Sequence, residues 1–272
     1  MNKGIFIDLD GTLLNKNNKI SKRNFNAIQK VINKGYRVYL TTGKSFEITT
    51  VYHKELNLKT PIIASQGQVI INPSPYKAYR IMTLDYGYFK KILKNKDLAP
   101  LIKNWTIETI SKLWVYMKKN NESLRLIDNN DKIIQEYDQS HDEQELLHSA
   151  IFGAYIDVAF LEEDDKLMLV KKLAMKYKSK DFQYWYTEHD FTTITVKPKI
   201  CNKWEAIKEI KAIDKLDYVI TFGNGWSDRD MLINADLGIA MINSSTKVKT
   251  FAKNVTEFNN DDDGVAVELE KL

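Results

Sequence analysis

The sequence predicts an α/β fold, a doubly wound parallel sheet that carries an inserted α+β domain. Apolar strand-like segments alternate with amphipathic helical segments over residues 1–81, and the same alternation returns over residues 191–272. Residues 82–190 differ in character, because strand-like runs there outnumber the helical segments. We therefore expect a discontinuous core formed by residues 1–81 and 191–272, interrupted by a separate domain over residues 82–190.

The first part of the expected core has the order strand, helix, strand, helix, strand. Its first helix begins after Ser21, an N-cap residue, and is stopped by Gly35. The break NPSP follows the third strand. We assign a strand to residues 4–8, a helix to 21–35, a strand to 36–44, a helix to 46–58 and a strand to 61–71.

The parallel pattern resumes after the insertion, which itself contains a predicted hairpin around Asn129 and Asn130. In the core we assign helices to residues 203–213 and 229–235 and strands to residues 218–225 and 237–242. In the insertion we assign helices to residues 88–96 and 168–180 and strands to residues 154–162, 182–188 and, at its boundary, 191–198.

Composition indicates a globular protein and excludes several classes of function. The chain has 272 residues, 43% of them hydrophobic, and its 40 basic and 36 acidic side chains are dispersed without a basic arm for nucleic acid. Its single cysteine, Cys201, excludes an internal disulfide framework and a zinc cluster. The sequence contains no signal segment and no apolar run of about 20 residues. We expect a cytoplasmic protein without membrane or nucleic-acid partners, a monomer or a weak homo-oligomer.

Polar side chains cluster where the predicted strands end. Asp8 and Asp10 follow the first strand, Thr41 and Thr42 end the second, and the segment GNGWSD follows a later strand. An isolated Asp-x-Asp is usually a polar turn. Ligands of doubly wound sheets bind beyond the carboxyl ends of the strands, so the repetition favours a ligand site. Two acids placed close together also require a cation or a shared proton.

These acids and hydroxyls, together with backbone amides and Lys203, suit phosphoryl transfer. Catalysis in that chemistry consists largely of positioning and of stabilising negatively charged oxygens. Mg²⁺ is the expected cofactor, since carboxylates, carbonyls and water are its ligands and the four histidines lack metal-ligand spacing. A carboxylate held against Mg²⁺ stays ionised and can attack phosphorus, giving an acyl phosphate.

The chain resembles the haloacid dehalogenase superfamily, specifically the Cof-type phosphatases, in which a large α/β cap is inserted after the third strand. DLDGT, directly after the first strand, matches the first family motif, and Thr42-Gly43 in TTGK matches the second. Lys203 matches the third motif, and GNGWSD matches the fourth. The segments LGIAMINSSTKVKTFAKNVT and DDDGVAVELEK are also similar to the family's C-terminal stretch. The resemblance covers essentially the whole chain and implies a Rossmann-like core with a cap.

The resemblance implies a role for each motif. Asp8 would be the nucleophile, and Asp10 would protonate the leaving oxygen and then take a proton from water. The phosphoryl oxygens would be held by the main chain of Leu9 and by Thr42, Gly43, Lys203 and Ser227. Mg²⁺ would be bound by Asp8, the main chain of Asp10, Asn224 and Asp228. The substrate would be a small phosphorylated metabolite, with sugar phosphates as the expected class, and the cap over residues 82–190 would set specificity.

Five motif positions depart from the family pattern. Asn224 stands where a metal-ligating Asp is usual, and Ser227 stands where Asn is usual. Lys44, Trp204 and Gln66 stand where Arg, Gly and Asn are common. The amide oxygen of Asn224 can still bind Mg²⁺, but the loss of a negative charge lowers the expected affinity.

Two alternatives to a phosphatase stay open at this point. A sugar phosphomutase of similar architecture would share the first motif and would keep the phosphoryl group on a sugar. A degenerate homologue would bind a phosphorylated ligand without catalysis, and Asn224 with Ser227 supports that alternative. For Trp204 and Trp226, packing is favoured over stacking on a substrate.

Overall fold

The described residues of the chain form two compact units, Met1–Ile81 with Cys201–Leu272 and Met82–Ile200. The computed structural model describes residues 1–109, 112–117, 133–136, 139–159, 161–178, 180–186, 191–199 and 201–272. The chain returns to the first unit at Cys201 and not at residue 191, which corrects the predicted limits 82–190 and 191–272. The reason is the strand Phe191–Pro198, which pairs with a neighbouring strand on either side inside the second unit.

The secondary structure within the described residues alternates strands and helices in the first unit and is dominated by strands in the second. The strands are, in chain order, β1 (Lys3–Ile7), β2 (Arg37–Leu40), β3 (Ile62–Ala64), β4 (Val69–Pro73), β5 (Tyr76–Ile81), β6 (Ile102–Thr109), β7 (Lys112–Met117), β8 (Ile133–Glu136), β9 (Ile151–Ala159), β10 (Lys180–Tyr186), β11 (Phe191–Pro198), β12 (Tyr218–Gly223), β13 (Leu237–Ala240) and β14 (Asn254–Val255). The helices are α1 (Lys22–Asn33), α2 (Phe46–Glu55), α3 (Tyr86–Leu93), α4 (Gln139–His148), α5 (Glu163–Lys176), α6 (Lys203–Ile213), α7 (Arg229–Asn234), α8 (Thr246–Lys249) and α9 (Gly264–Glu270). In the parts of the chain that the structure describes, no helix combines the length and apolarity that crossing a membrane requires.

The first unit is built on a parallel sheet with the strand order β14-β13-β12-β1-β2. Every neighbouring pair in this sheet runs parallel, and β1 occupies an interior position between β12 and β2. Parallel strands of this kind need crossover connections, which the intervening helices supply. The predicted doubly wound α/β fold is therefore confirmed, and the carboxyl ends of β1, β2 and β12 lie at one edge of the sheet.

Helices cover this sheet on opposite faces, as the alternation of side chains along β1 requires. Ile5 and Ile7 belong to a buried cluster that includes Ile28 of α1 and Leu269 of α9. Phe6, whose side chain points to the other face, belongs to a cluster with Ala206, Ile207 and Ile210 of α6. Near-continuous apolar strands are expected when a parallel sheet is buried on both faces.

The predicted third strand over residues 61–71 is instead a hairpin. β3 and β4 pair antiparallel, with Ile62 opposite Ile71. Between them Ser65, Gln66 and Gly67 have φ values of 48°, 59° and 89°. Such left-handed residues reverse the chain, which an alternating apolar pattern does not reveal. Of the two strands of this hairpin, β3 is the one that runs parallel to the neighbouring sheet, through a bridge between Thr41 and Ile63.

The second unit is an α+β domain whose sheet has the order β10-β11-β9-β6-β7-β8. Its pairs are antiparallel except for β7 with β8. Ile107 and Ile156 on one face pack with Phe89 of α3 and Leu173 of α5. Most of the hairpin predicted around Asn129 and Asn130 lies outside the described residues. The α+β character predicted for the insertion is confirmed.

Candidate active site

The predicted site residues are distributed over three strand ends and one helix start of the first unit. Asp8 follows β1, Thr42 lies just beyond β2, and Asn224 follows β12. Lys203 is the first residue of α6, because Asn202 caps that helix by accepting a hydrogen bond from the Glu205 N–H at 2.8 Å. Strand ends and helix starts on the same side of a doubly wound sheet form its usual binding edge.

Lys203 joins two of the predicted acids. Its Nζ donates hydrogen bonds to Oδ1 of Asp8 at 2.7 Å and to Oδ1 of Asp228 at 2.6 Å. The side chains of Lys203 and Asp228 are each 1% exposed and that of Asp8 is 8% exposed. The first, third and fourth motifs, far apart in sequence, therefore meet at a single buried ammonium group.

The electrostatics of this cluster are unbalanced, because Asp8 and Asp228 share the positive charge of Lys203. Burial raises the pKa of the Asp8 carboxyl to about 7 from an ordinary 3.8; Lys203 opposes this rise and the charge of Asp228 adds to it. Burial alone would lower the pKa of the Lys203 ammonium, but contact with Asp228 and Asp8 outweighs it and raises that pKa. Once Asp8 is ionised, the cluster holds two carboxylates against one ammonium, an excess of negative charge.

The fourth motif is held by the second oxygen of Asp228. Its Oδ2 accepts hydrogen bonds from the backbone N–H groups of Asn224 and Gly225, each at 2.9 Å. The side chain of Asn224 reaches the first motif, where its Oδ1 accepts a hydrogen bond from the Thr12 hydroxyl at 3.1 Å. Ser227 lies on the same short turn, Trp226–Asp228, and is exposed. Its predicted contact with phosphate stays a prediction.

The first motif turns sharply after Asp10. Gly11 has a φ of +65°, and a Cβ atom there would collide with the Asn224 amide. Glycine is therefore required by the backbone conformation and by the close approach of Asn224. The Asn243 side chain supports this turn by donating a hydrogen bond to the Gly11 carbonyl at 2.9 Å. Sequence reasoning missed Asn243, which lies in the C-terminal segment noted only for its family likeness.

Asp10 stands apart from the buried cluster. Its side chain is 55% exposed, and its Oδ1 lies 3.0 Å from Nζ of Lys44, whose side chain is only 5% exposed. From sequence, Lys44 is only a departure from Arg and has no assigned role. Its position directly after Thr42 and Gly43, on a loop at the binding edge, is the signal that could have identified it.

Hydrogen bonds to the Thr42 hydroxyl and to the turn after β3 hold the backbone of the second motif. Thr42 Oγ1 accepts a hydrogen bond from the Lys44 N–H at 3.1 Å, so its own proton stays available as a donor. The Gln66 N–H donates to the Thr42 carbonyl at 3.0 Å, and the Ser65 N–H donates to the Lys44 carbonyl at 2.8 Å. The Gln66 amide also occupies the space that a Cβ atom on Gly43 would need.

The donor set fits Mg²⁺ in its chemistry. Among the residues that the structure describes, no group of three or more His, Cys, Asp or Glu side chains is placed to hold a metal ion. The predicted ligands are instead the carboxylates of Asp8 and Asp228, the Asn224 amide oxygen and the Asp10 carbonyl. Oxygen ligands of these kinds suit Mg²⁺, which keeps several waters. The excess negative charge around Lys203 gives such a cation a physical reason to bind.

Comparisons with known proteins identify the family of the chain. A family model described as haloacid dehalogenase-like hydrolase matches residues 5–269. The phosphatase YwpJ of Bacillus subtilis is 28% identical, over 99% of this chain and 99% of its own length. The 5-amino-6-(5-phospho-D-ribitylamino)uracil phosphatase YcsE of the same organism is 27% identical, over 97% of this chain and 93% of its own.

A solved structure gives the same result for the fold. The haloacid dehalogenase-like hydrolase from Bacteroides thetaiotaomicron aligns with a TM-score of 0.75 and 21% identity, covering 100% of this chain and 99% of its own. The predicted resemblance to Cof-type phosphatases is therefore confirmed, and the named relatives support the expected class of enzyme, a phosphoric monoester hydrolase. The chain belongs to the haloacid dehalogenase-like hydrolase family.

Proposed function

We propose that this protein is a Mg²⁺-dependent phosphatase of small phosphorylated metabolites, sugar phosphates above all, that works through an aspartyl-phosphate intermediate. The observation that carries the proposal is the bond from Lys203 Nζ to the buried Asp8 carboxylate at 2.7 Å. It fixes a carboxylate in one orientation at the binding edge of the sheet. Such a carboxylate is suited to attack phosphorus, since the nucleophile needs no general base once it is ionised.

The chemistry would run in two steps. In the first, an oxygen of Asp8 attacks phosphorus, the bond from phosphorus to the ester oxygen breaks, and Asp10 gives its proton to the departing alcohol. In the second, Asp10 takes a proton from a water molecule whose oxygen attacks phosphorus, which releases Asp8 and inorganic phosphate. The exposure of the Asp10 side chain supports this role, because a group that meets both alcohol and water must be reachable.

The remaining motif residues would hold the phosphoryl oxygens. Lys203 supplies a positive charge, and the Thr42 hydroxyl supplies a donor whose orientation is set by the Lys44 N–H. The main chain of Leu9, together with Gly43 and Ser227, would add further donors. Asp8, the Asp10 carbonyl, Asn224 and Asp228 would bind Mg²⁺, which supplies positive charge against the negative oxygens when bound.

The second unit is proposed to select the substrate, as the caps of similar phosphatases do. A polar face of its sheet supports the proposal that the substrate is rich in hydroxyl groups. There Asp157 Oδ1 accepts a hydrogen bond from the Thr193 hydroxyl at 2.6 Å, and the Tyr155 hydroxyl donates to Glu108 at 3.0 Å. Carboxylates and hydroxyls of this kind recognise polyols. Two relatives named for a phosphorylated ribityl compound, each spanning most of this chain, point to the same chemistry.

Phosphate release from a panel of phosphate monoesters tests the proposal. Purified protein with Mg²⁺ would be assayed against sugar, polyol, nucleoside and amino-acid phosphates, alongside Asp8→Asn and the exposed-site control Asp164→Asn. We expect release that a chelator abolishes, that Asp8→Asn lowers by several orders of magnitude and that Asp164→Asn leaves unchanged. Acid-quenched protein should carry labelled phosphate in the wild type and not in Asp8→Asn.

Two results would contradict the proposal and would favour the alternatives. Transfer of the phosphoryl group to another position of a sugar, without release to water, would indicate a mutase. Binding of phosphorylated ligands without turnover of any panel member would indicate a non-catalytic homologue.

A further inference from the structure

Lys44 and Asp10 form an ion pair in which the lysine is buried and the aspartate is exposed, although lysine side chains are usually exposed. The Lys44 side chain is 5% exposed, whereas the Asp10 side chain is 55% exposed, and their charged atoms lie 3.0 Å apart. Lysine is among the residues least often buried, and burial of its ammonium requires compensation. The Lys44 ammonium is therefore held next to the exposed carboxylate by the fold, and it differs from a solvated surface lysine.

The backbone on which Lys44 stands is fixed at both of its polar groups. Its N–H donates to Thr42 Oγ1 at 3.1 Å, and its carbonyl accepts from the Ser65 N–H at 2.8 Å. The next residue, Ser45, is the N-cap of α2 and accepts a hydrogen bond from the Ile48 N–H. Lys44 thus extends from a short segment that is held by the second motif, by the left-handed turn after β3 and by the start of a helix.

Asp10 has no comparable restraint from burial. It lies on the turn Leu9–Leu13, directly before Gly11, and more than half of its side chain is open to solvent. An exposed carboxylate samples several rotamers, and each rotamer that points elsewhere is unable to deliver a proton to the leaving oxygen. The contact with a rigidly mounted ammonium selects one of those rotamers.

We propose that Lys44 is a positioning residue that holds the Asp10 carboxyl group for proton transfer to and from the reacting oxygens. This inference rests on the proposed function, in which Asp10 is the general acid and base. Lys44 transfers no proton in this scheme; the proton that reaches the leaving oxygen comes from Asp10. As Asp10 loses that proton, negative charge builds on its carboxylate, and the adjacent ammonium offsets that charge.

A different role for Lys44 would be direct contact with the substrate phosphate. The two roles differ in how they depend on the leaving group. A general acid matters for a poor leaving group such as an alkoxide, and contributes little when the leaving group is stable without a proton. A phosphate contact contributes equally for both, because the phosphoryl group is the same.

The test therefore compares two substrates in four variants of the full chain. The substrates are the best alkyl phosphate from the panel and p-nitrophenyl phosphate, whose leaving group needs no proton. The variants are Lys44→Met, which keeps the apolar stem, Lys44→Arg, which keeps the charge, Asp10→Asn, and Lys54→Met as a control. Lys54 is an exposed lysine of α2 in the same unit.

We expect Lys44→Met to lower kcat/KM on the alkyl phosphate by about 10- to 100-fold, a part of the 10²- to 10⁴-fold that a positioned acid contributes. The constant kcat/KM is compared because it reports the first step, departure of the leaving group, whereas the hydrolysis of the second step is common to both substrates. On p-nitrophenyl phosphate the loss of kcat/KM should stay below about threefold, which also demonstrates that the variant is folded. Lys44→Arg should restore most of the alkyl phosphate activity, Asp10→Asn should show the same selectivity more strongly, and Lys54→Met should match the wild type. Lys44→Gln supplies a second uncharged variant if Lys44→Met does not fold.

Equal losses of kcat/KM on both substrates would overturn the positioning role and identify a phosphate contact. Wild-type behaviour of Lys44→Met would overturn it as well. If either result accompanies selective loss in Asp10→Asn, only the inference about Lys44 fails. If Asp10→Asn itself lacks leaving-group dependence, the assignment of Asp10 in the proposed function fails, and the inference about Lys44 fails with it.

Discussion

Replacing Asp8 by Asn tests the electrostatic account of the active site in the metal-free protein. Burial raises the pKa of the Asp8 carboxyl to about 7 from 3.8, so the folded protein binds this proton more tightly than the unfolded chain does. A group whose pKa is raised on folding contributes stability that is fully present below its unfolded pKa and is lost as pH rises through its folded pKa. The contribution of Asp8 to the stability of the wild-type protein should therefore be lost between pH of about 4 and 7, as Asp8 ionises.

The size of the effect follows from the pKa difference, since one pKa unit corresponds to about 1.4 kcal/mol. The amide in Asp8→Asn cannot ionise, so the variant escapes the cost of a buried charge beside Asp228. We expect the free energy of unfolding of Asp8→Asn minus that of the wild type to be larger by about 2 to 3 kcal/mol at pH 8 than at pH 5, so that the variant is relatively more stable at pH 8. The same variant should be inactive, so catalysis and stability would change in opposite directions at this position.

Urea unfolding at pH 5 and pH 8 in the presence of a chelator measures the difference. Asp164→Asn, a change of the same kind at an exposed position, controls for the general effect of removing a carboxylate. Addition of Mg²⁺ at pH 8 should stabilise the wild type more than Asp8→Asn, because a ligand stabilises the state that binds it and Asp8 is a proposed ligand. If the stability difference between wild type and Asp8→Asn were the same at both pH values, Lys203 would already compensate Asp8 fully, and the excess of negative charge inferred for the site would be wrong.

Three further predictions address the metal, the substrate and acid stability. Asn224→Asp should lower the Mg²⁺ concentration needed for half-maximal phosphate release. Before the cost of desolvation, a carboxylate close to the ion attracts it more strongly than an amide does, by an energy on the order of a few kcal/mol. An unchanged Mg²⁺ titration would place Asn224 away from the metal. Exchanging residues 82–200 for the corresponding segment of a related phosphatase should change the ranking of substrates, and an unchanged ranking in a folded, active chimera would contradict the role proposed for the second unit. Burial lowers the pKa of His53, which contacts the Thr60 carbonyl at 2.7 Å, so the contribution of His53 to stability should fall below about pH 6.5 by at most about 1.4 kcal/mol per pH unit, opposite in sign to the contribution of Asp8; in urea unfolding the free energy of unfolding of the wild type minus that of His53→Gln should be smaller at pH 5 than at pH 7, and an equal difference at both pH values would exclude this contribution.

The sequence by itself determined the local elements and the chemistry of the motifs. The helix predicted over residues 203–213 has those bounds in the structure, because Asn202 is a strong N-cap and the apolar positions of α6 recur with helical period. The apolar run that ends at Asp8 is β1, and its burial on both faces follows from the absence of alternation. Both signals, a cap with helical period and an uninterrupted apolar run, are read from residues adjacent in sequence, which is why the sequence alone was sufficient.

Tertiary structure decided which of these residues meet. The bonds from Lys203 to Asp8 and Asp228, the bond from Thr12 to Asn224 and the pair of Lys44 with Asp10 join segments whose separation in sequence carries no pairing information. The left-handed residues at Ser65 and Gln66, which turn a predicted strand into a hairpin, have no glycine signal at either position. The return to the first unit at Cys201 depends on the pairing of β11 with β9 and β10, and strand pairing is a property of the whole sheet and not of the strand.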